Sequence, residues 1–421
     1  MLPFVILLLT VGVQQTNAGL ESANARERLD AVETLSRPGR TENIDQLAAA
    51  LKKEPRSDIR AAIVAGLARI GSERVVPILR ESLQTDLDKD VRLQTIDAIQ
   101  RLYIPIEDTG SIRTIFNKVK SAFSEADRPF VRDASVVDPA AKAALADSMQ
   151  KDFSADVRAA AARALGSLRA RDQIPAMIAA LESPQSREHA DVRLEIVQSL
   201  GAIRDPAAGP ALEKAIRDPD GEISSAAILG VGLTAHKPAR PLLENLFRTD
   251  TSRDRKRKAI EALALMADQG SQPLFVSVLD HADDYYREMA AEGLARMDHD
   301  PAVLKMRYDR ESKPNVRNAL AFGLAASNQV HYINDLALAL DSRLAYQAEA
   351  YLFELGKFEG QLAELHRYLR NNNPKVRAGM ARVVGNIGDP SSRQPIEALT
   401  KDSNPEVVRE ALTALRKLTA G

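Results

Sequence analysis

Six histidines, His189, His236, His281, His299, His331 and His366, and no cysteine are what this 421-residue chain offers for metal ligation or proton shuttling. No His is followed by Glu, so the His-Glu-x-x-His zinc motif is missing, as are the Gly-x-Ser-x-Gly nucleophile elbow and a phosphate-cradling Gly-rich loop. Without Cys there is no thiol catalysis, disulfide, Cys-ligated zinc or lipid-modified N-terminal Cys. The local sets Glu188-His189-Ala190-Asp191, His281-Ala282-Asp283-Asp284 and Asp298-His299-Asp300 contain metal-binding side chains. Each falls at a turn, where Asp is expected as a helix cap. Six cations crowd Arg248 to Lys258, but Asp250 and Asp254 interleave with them, which reads as a solvated helix start. No catalytic residue, cofactor site or metal site is assigned.

The residues that do recur at fixed spacing are an Asp-(Val/Ile)-Arg set. It appears at Asp58-Ile59-Arg60, Asp90-Val91-Arg92, Asp156-Val157-Arg158 and Asp191-Val192-Arg193, and as Val-Arg at Arg317, Arg377 and Arg409. Degenerate copies place Ser224, Lys256, Arg287 and Gln347 in the Arg position, at about 31 residues per step. The expected chemistry is structural: a ladder in which each Arg reaches the Asp of this tripeptide in an adjacent repeat. An anion-binding Arg row is disfavoured, because the paired Asp would neutralise it.

A period of that length calls for a solenoid of helix pairs. Downstream of each Arg the apolar residues follow helical spacing, as in Ala161, Leu165 and Leu168. Gly166, Gly201, Gly232 and Gly385 lie eight residues after the Arg position, where a small residue lets helices approach closely. Turns such as Arg204-Asp205-Pro206, Asp300-Pro301 and Gly388-Asp389-Pro390 begin the next helix, with Asp as cap and Pro in the first turn. The composition agrees: 45% apolar, 4% aromatic and no Trp, so the core is built from Ala, Leu, Ile and Val.

These units resemble the short bacterial HEAT-like repeats of the phycobilisome-lyase type. The resemblance implies an all-α, right-handed α-solenoid of about 11–12 helix pairs. It runs over residues 42–421 after a lead-in at 19–41, with the second helix of each pair on the concave side. It is strong for fold and nearly empty for chemistry. The deoxyhypusine hydroxylases share the fold, but the His-Glu pairs of their iron site have no counterpart in this chain. The HEAT-like DNA glycosylases are a fold analogy only.

Two places break the pattern. Around residues 103–137 the repeat is interrupted. The preceding helix cannot continue through Pro105, and Ser111 to Phe123 is expected to form an amphipathic helix with Ile112, Ile115, Phe116, Val119 and Phe123 on one face. The 66 residues from Arg92 to Arg158 are close to two units, yet the copy near Val131-Arg132 is poor. Further on, seven of the eight tyrosines lie between Tyr285 and Tyr368. Tyr offers apolar area and a hydroxyl at interfaces. The candidate partner-binding residues are therefore Tyr285, Tyr286, Tyr346, Tyr103 and Phe116.

The first eighteen residues carry no charged side chain, and Leu2 to Val13 is an apolar run too short to span a bilayer. Thr16-Asn17-Ala18 supplies a cleavage site, so residues 1–18 read as a signal peptide and the mature chain as periplasmic or secreted. With 57 Lys+Arg against 58 Asp+Glu the net charge is −1, which argues against nucleic acid as partner. No integral membrane segment is expected in the mature chain. The function expected is a monomeric, non-enzymatic scaffold that binds a protein or peptide on the concave face and carries no cofactor. The alternative is an enzyme or lyase-type accessory with a pocket for a tetrapyrrole, another small molecule or an anionic polymer. A scaffold should present an open groove, and a lyase a closed pocket with perturbed titratable groups.

Overall fold

A computed structural model describes residues 19–104, 136–297 and 299–419. Every regular element in them is helical. The chain divides into two compact units, one holding the described residues up to Ala227 and the other those from Ile228. The predicted signal segment, Phe116 and nearly all of the 103–137 insert lie outside the described residues.

In the first unit a single helix, Ala25–Leu35, precedes four helix pairs. These are Ile44–Lys53 with Ser57–Ile70, Val76–Thr85 with Lys89–Tyr103, Pro139–Lys151 with Ala155–Ser167, and Ile174–Glu182 with Ala190–Ile203. The pair Gly209–Ala215 and Gly221–Leu233 follows, its second helix crossing the boundary. Six pairs make the second unit. Their second helices are Arg253–Met266, Asp284–Ala295, Pro314–Ala326, Ala345–Leu355, Pro374–Ile387 and Pro405–Thr419. The eleven pairs among the described residues agree with the expected repeat number.

Local chemistry sets the ends of these helices. Asp205, Asp300 and Asp389 each accept from a backbone amide two residues on, with Pro in the first turn behind them. Gly71 and Gly388 close their helices in the left-handed conformation, at φ 75° and 78°. The core is aliphatic, as the composition requires: Leu47, Val64, Leu67, Leu79, Val91 and Ile99 are fully buried in the first unit, and Leu243, Leu263, Leu294, Leu320 and Val384 in the second. The small positions are tight. A Cβ on Gly166 would sit 2.8 Å from the Ser199 side chain, and one on Gly385 would sit 2.4 Å from Ala414 Cβ.

Across the interrupted region the flanking repeats are joined by one link of polar contacts. Arg92 Nε donates to Asp152 Oδ2 at 2.7 Å across 60 residues of sequence, and Lys89 Nζ meets Asp156 Oδ2 at 2.9 Å. The helices Lys89–Tyr103 and Ala155–Ser167 therefore pack as direct neighbours.

Candidate functional site

The recurring Arg does form a ladder, but its acceptor is not the Asp of the tripeptide. Each Arg lies in the first turn of a second helix. Its Nη1 turns back to the carbonyls of its own inter-helix loop: Arg60 to Glu54 and Pro55, Arg287 to His281 and Ala282, Arg377 to Asn371 and Asn372. Its Nε and Nη2 then grip a carboxylate at the same loop of the next repeat. The pairs are Arg60 with Asp86, Arg92 with Asp152, Arg193 with Asp218, Arg287 with Glu311 and Arg377 with Asp402, and Arg28 with Glu54 extends the row toward the N-terminus. That carboxylate stands six residues before its own repeat's Arg position. It also accepts from the backbone amide two residues on, as Asp86 does from Asp88 and Asp402 from Asn404. One acid thus closes its own loop and receives the previous repeat.

The tripeptide Asp could not play this part, because residues two apart on a helix do not face the same way. Asp58 instead pairs with Arg56, and Asp156 with Lys89, at the surface. Asp90 and Asp191 fall in first helical turns, where a negative charge suits the helix dipole. The last repeat also shifts the sequence register. Val407 is fully buried where Val376 is buried one repeat earlier, which puts Val408 in the Arg place. Arg409 therefore points outward, 68% exposed, toward Glu406 and Glu410. Arg158 clamps its own loop through the Asp152 carbonyl, but its Nε and Nη2 are buried with no acceptor. Arg317 likewise clamps the Tyr308 and Glu311 carbonyls.

The electrostatics follow the geometry. Arg377 holds the Asp402 carboxyl below the usual carboxylate range. Burial works against the Glu54 and Glu311 anions, but Arg28 and Arg287 outweigh it, and both carboxyls lie below their ordinary value.

Between successive clamps, the loop tips of the first unit carry apolar residues. Leu87 and Phe153 occupy the same repeat position, five residues before Arg92 and Arg158, and are 96% and 99% exposed. The exposed Pro55 holds that position one repeat earlier. Arg92, bonded to the Asp86 carbonyl and the Asp152 carboxylate, joins the two loops that carry Leu87 and Phe153.

The tyrosines have other duties. Tyr286 is buried, 7% exposed, with its ring edge-on to Phe247 at 5.3 Å and to His281 at 4.7 Å. Tyr285 donates its hydroxyl to Glu261 Oε2 at 3.1 Å beneath the Arg257 guanidinium. The Tyr103 hydroxyl accepts from the Asp138 amide at 3.3 Å. Tyr346, 40% exposed, is the one of these candidates that stands well out of the surface.

Tyr285 belongs to a polar lattice on the second helices Arg253–Met266, Asp284–Ala295, Pro314–Ala326 and Ala345–Leu355. Glu288 Oε1 accepts from Gln347 Nε2 at 2.6 Å and Oε2 from Asn315 Nδ2 at 2.7 Å. One turn on, Glu292 Oε1 accepts from Tyr351 at 2.7 Å, while Arg296 bridges Glu292 and Glu354. Tyr351 also stacks on Phe322, with centroids 4.8 Å apart. The lattice therefore ties second helices two repeats apart.

Burial and the neighbouring Glu292 push the Glu288 carboxyl up to about 7. Burial raises Glu261 and the phenol of Tyr351 as well. It opposes the Arg296 cation, but Glu354 and Glu292 outweigh it and hold Arg296 charged. These groups bind one another. Among the described residues, no grouping of His, Asp and Glu has the geometry of a metal site. His281 serves its loop, accepting the Asp283 amide at Nδ1.

The lattice left a trace in the sequence. Glu288 follows the Arg position directly, where other repeats carry Ala61, Leu93, Ala159 and Leu194. Leu87 and Phe153 left one too, as large apolar residues inside short polar loops.

Four stretches, residues 16–100, 142–232, 239–325 and 336–420, match the model for HEAT repeats. No curated protein matches the chain. Among solved structures, the CpcE–CpcF complex of phycocyanin lyase from Nostoc sp. PCC7120 is 18% identical, with a TM-score of 0.41, covering 58% of this chain and 94% of that one. Escherichia coli YibA is 18% identical with a TM-score of 0.40, covering 67% and 91%. Human deoxyhypusine hydroxylase in complex with glycerol is 16% identical with a TM-score of 0.30, covering 83% and 97%. At these values the likenesses carry no argument about activity. The repeat matches, which span most of the chain, place it in the HEAT-repeat family.

Proposed function

We propose that the chain is an exported, non-catalytic scaffold that binds a protein or peptide partner. The observation that carries this reading is the pair Leu87 and Phe153. Two large apolar side chains stand almost wholly in water at the same register of adjacent repeats, on loops held by a two-pronged ion pair. Burying such side chains is worth roughly 1.5–3 kcal/mol each, so a partner that covers them gains substantially. The binding edge in this reading is the loop edge of the first unit rather than the tyrosine-bearing second helices.

Two further features support the reading. The ionisable groups of the lattice are engaged with one another, as expected of a structural network rather than a reaction centre. The charge-free, apolar start from Leu2 to Val13 supports export, and no helix among the described residues is long and apolar enough to cross a membrane.

The test begins with capture of a partner from a periplasmic extract by the full chain and its identification by mass spectrometry. The partner is then titrated against wild type and a Leu87→Ser/Phe153→Ser double variant. Anchors of this kind cost about 2 kcal/mol or more each on truncation, so affinity of the double variant should fall by at least about thirtyfold. Equal affinity for the two proteins would remove the loop edge from the function.

A further inference from the structure

We propose that Arg158 is a carboxylate-binding site, a rung of the ladder whose acid the chain does not itself supply. In the three preceding rungs the acid is the residue that directly follows a first helix. Glu54, Asp86 and Asp152 stand there, with φ between −60° and −72° and ψ between 118° and 141°. Ser183 holds that place after Ile174–Glu182, in the same extended conformation at φ −65° and ψ 147°. It keeps one duty of the acid, accepting from the Ser186 amide at 3.2 Å to close its own loop. It has no second oxygen and no charge for the Arg of the repeat before.

Arg158 bears the consequence. It is 2% exposed, the largest fully buried side chain among the described residues. Its Nη1 donates to the Asp152 and Phe153 carbonyls at 2.8 and 3.4 Å, as its counterparts do to theirs. Yet Nε and Nη2, the two prongs that grip a carboxylate in other repeats, meet no acceptor. The acids nearby in sequence serve elsewhere: Asp152 is held by Arg92, Asp156 by Lys89 and Glu182 by Lys214, while Glu188 is exposed. A guanidinium buried without a counter-charge is costly, and a carboxylate is the anion whose two oxygens match both prongs.

The approach is from the loop edge. Gln185, exposed on the short helix Pro184–Arg187, touches the guanidinium there. With its amide oxygen toward Arg158 it accepts from Nη1 at 3.2 Å and donates to the Gln150 carbonyl at 3.3 Å. A neutral amide on a long exposed side chain can swing away for a charged oxygen. Phe153 and Pro184, both exposed, belong to the two loops that Arg158 and Gln185 connect, so an acidic side chain entering here brings its neighbours onto the apolar edge. The site does not depend on that edge being used, since a free carboxylate has the same chemistry.

The probe is sodium acetate against sodium chloride at equal ionic strength and neutral pH, read as the midpoint of the first urea transition of the full chain. Acetate should raise the wild-type midpoint saturably, and at about ten times its dissociation constant should lower the unfolding constant about elevenfold. Ser183→Asp, which supplies the acid from within, should raise the midpoint in chloride and abolish the acetate response, whereas a general salt effect would persist in it. Identical acetate and chloride curves for wild type overturn the site, as does an acetate response that Ser183→Asp retains. If that variant does not fold, Arg158→Met, which removes the fork, serves the same comparison. The captured partner then identifies the source. Affinity that Ser183→Asp lowers by about tenfold or more assigns the carboxylate to the partner. Unchanged affinity assigns it to a free acid, and the Leu87→Ser/Phe153→Ser variant tests the apolar edge independently.

Discussion

Arg92 and Asp152 meet in a two-pronged ion pair, with Nε to Oδ2 at 2.7 Å and Nη2 to Oδ1 at 2.9 Å, although 60 residues separate them in sequence. Both side chains are about nine-tenths buried. Arg92 also donates to the Asp86 carbonyl of its own loop at 2.9 Å. Removing the guanidinium strands a buried carboxylate and frees a loop carbonyl. Arg92→Met should cost about 3 kcal/mol in the first urea transition. Arg409→Ala, at the exposed end of the array, should leave the curve unchanged. Equal effects of the two would mean that the ladder contributes no more than a surface charge does.

Gly385 and Gly221 make a matched pair for packing. A Cβ on Gly385 would meet Ala414 Cβ at 2.4 Å and Cα at 2.8 Å, and backbone cannot yield as a flexible side chain can. Gly385→Ala should cost roughly 1–3 kcal/mol, and Gly385→Leu no less. Gly221 begins a helix with open space where its Cβ would lie. Gly221→Ala should be neutral or stabilising by about 0.4–1 kcal/mol. Urea midpoints that ranked these two in the reverse order would contradict the placement of the helix interface.

The acid limb of stability belongs to the ladder. Asp402, Glu54 and Glu311 are held below the ordinary carboxylate range, so their contribution is complete above about pH 5 and is lost as pH falls through their lowered folded values. Asp402→Asn should make unfolding of the last repeats less steep with falling pH. Exchange of the Pro405–Thr419 helix between pH 5 and 2.5 measures this directly, and an unaltered slope counts against the assignment.

Tyr286 and Tyr346 should behave in opposite ways. Tyr286 packs between Phe247 and His281, so Tyr286→Ala leaves a cavity and should cost about 3–5 kcal/mol, seen by circular dichroism in urea. Tyr346→Ala should leave the midpoint within error, as expected for an exposed site. A binding defect in the Tyr286 variant would therefore report on folding.

Export has its own test. Intact-mass analysis of the protein from its native host should show a chain that starts at Gly19. A chain that retains Met1 in the cytosol would refute the address.

Much of the fold is legible in the residues themselves. The 31-residue period, the small residue at Gly166 and Gly385 and the Asp-Pro starts at Asp205, Asp300 and Asp389 each express a local rule that acts within one repeat. What the sequence hides is the partner of each Arg. Asp58 and Asp90 lie nearest in the text, yet helix geometry turns them away, while Asp86 and Asp152 sit in loops whose spacing to the previous Arg varies. The register of the last repeat is hidden for a related reason. Val407-Val408-Arg409 fits the Val-Arg pattern at two offsets, and only burial chooses between them. The lattice of Glu288 with Gln347 spans 59 residues and depends on how second helices stack, which no local pattern encodes.

The ladder has a polarity. Every link hands a guanidinium forward to the carboxylate of the next repeat, so all its joints share one thread. A cut at one Arg and a splice at the next conserves that thread: excision of residues 60–91 would leave Arg92 in the place of Arg60, still facing Asp152 ahead, with Glu54 closing the loop behind it. The array can therefore lengthen or shorten by whole repeats without inventing a new joint. A long detour between Arg92 and Asp152 is absorbed in the same way, because what the stack reads is the two ends of the link and not the chain that runs between them.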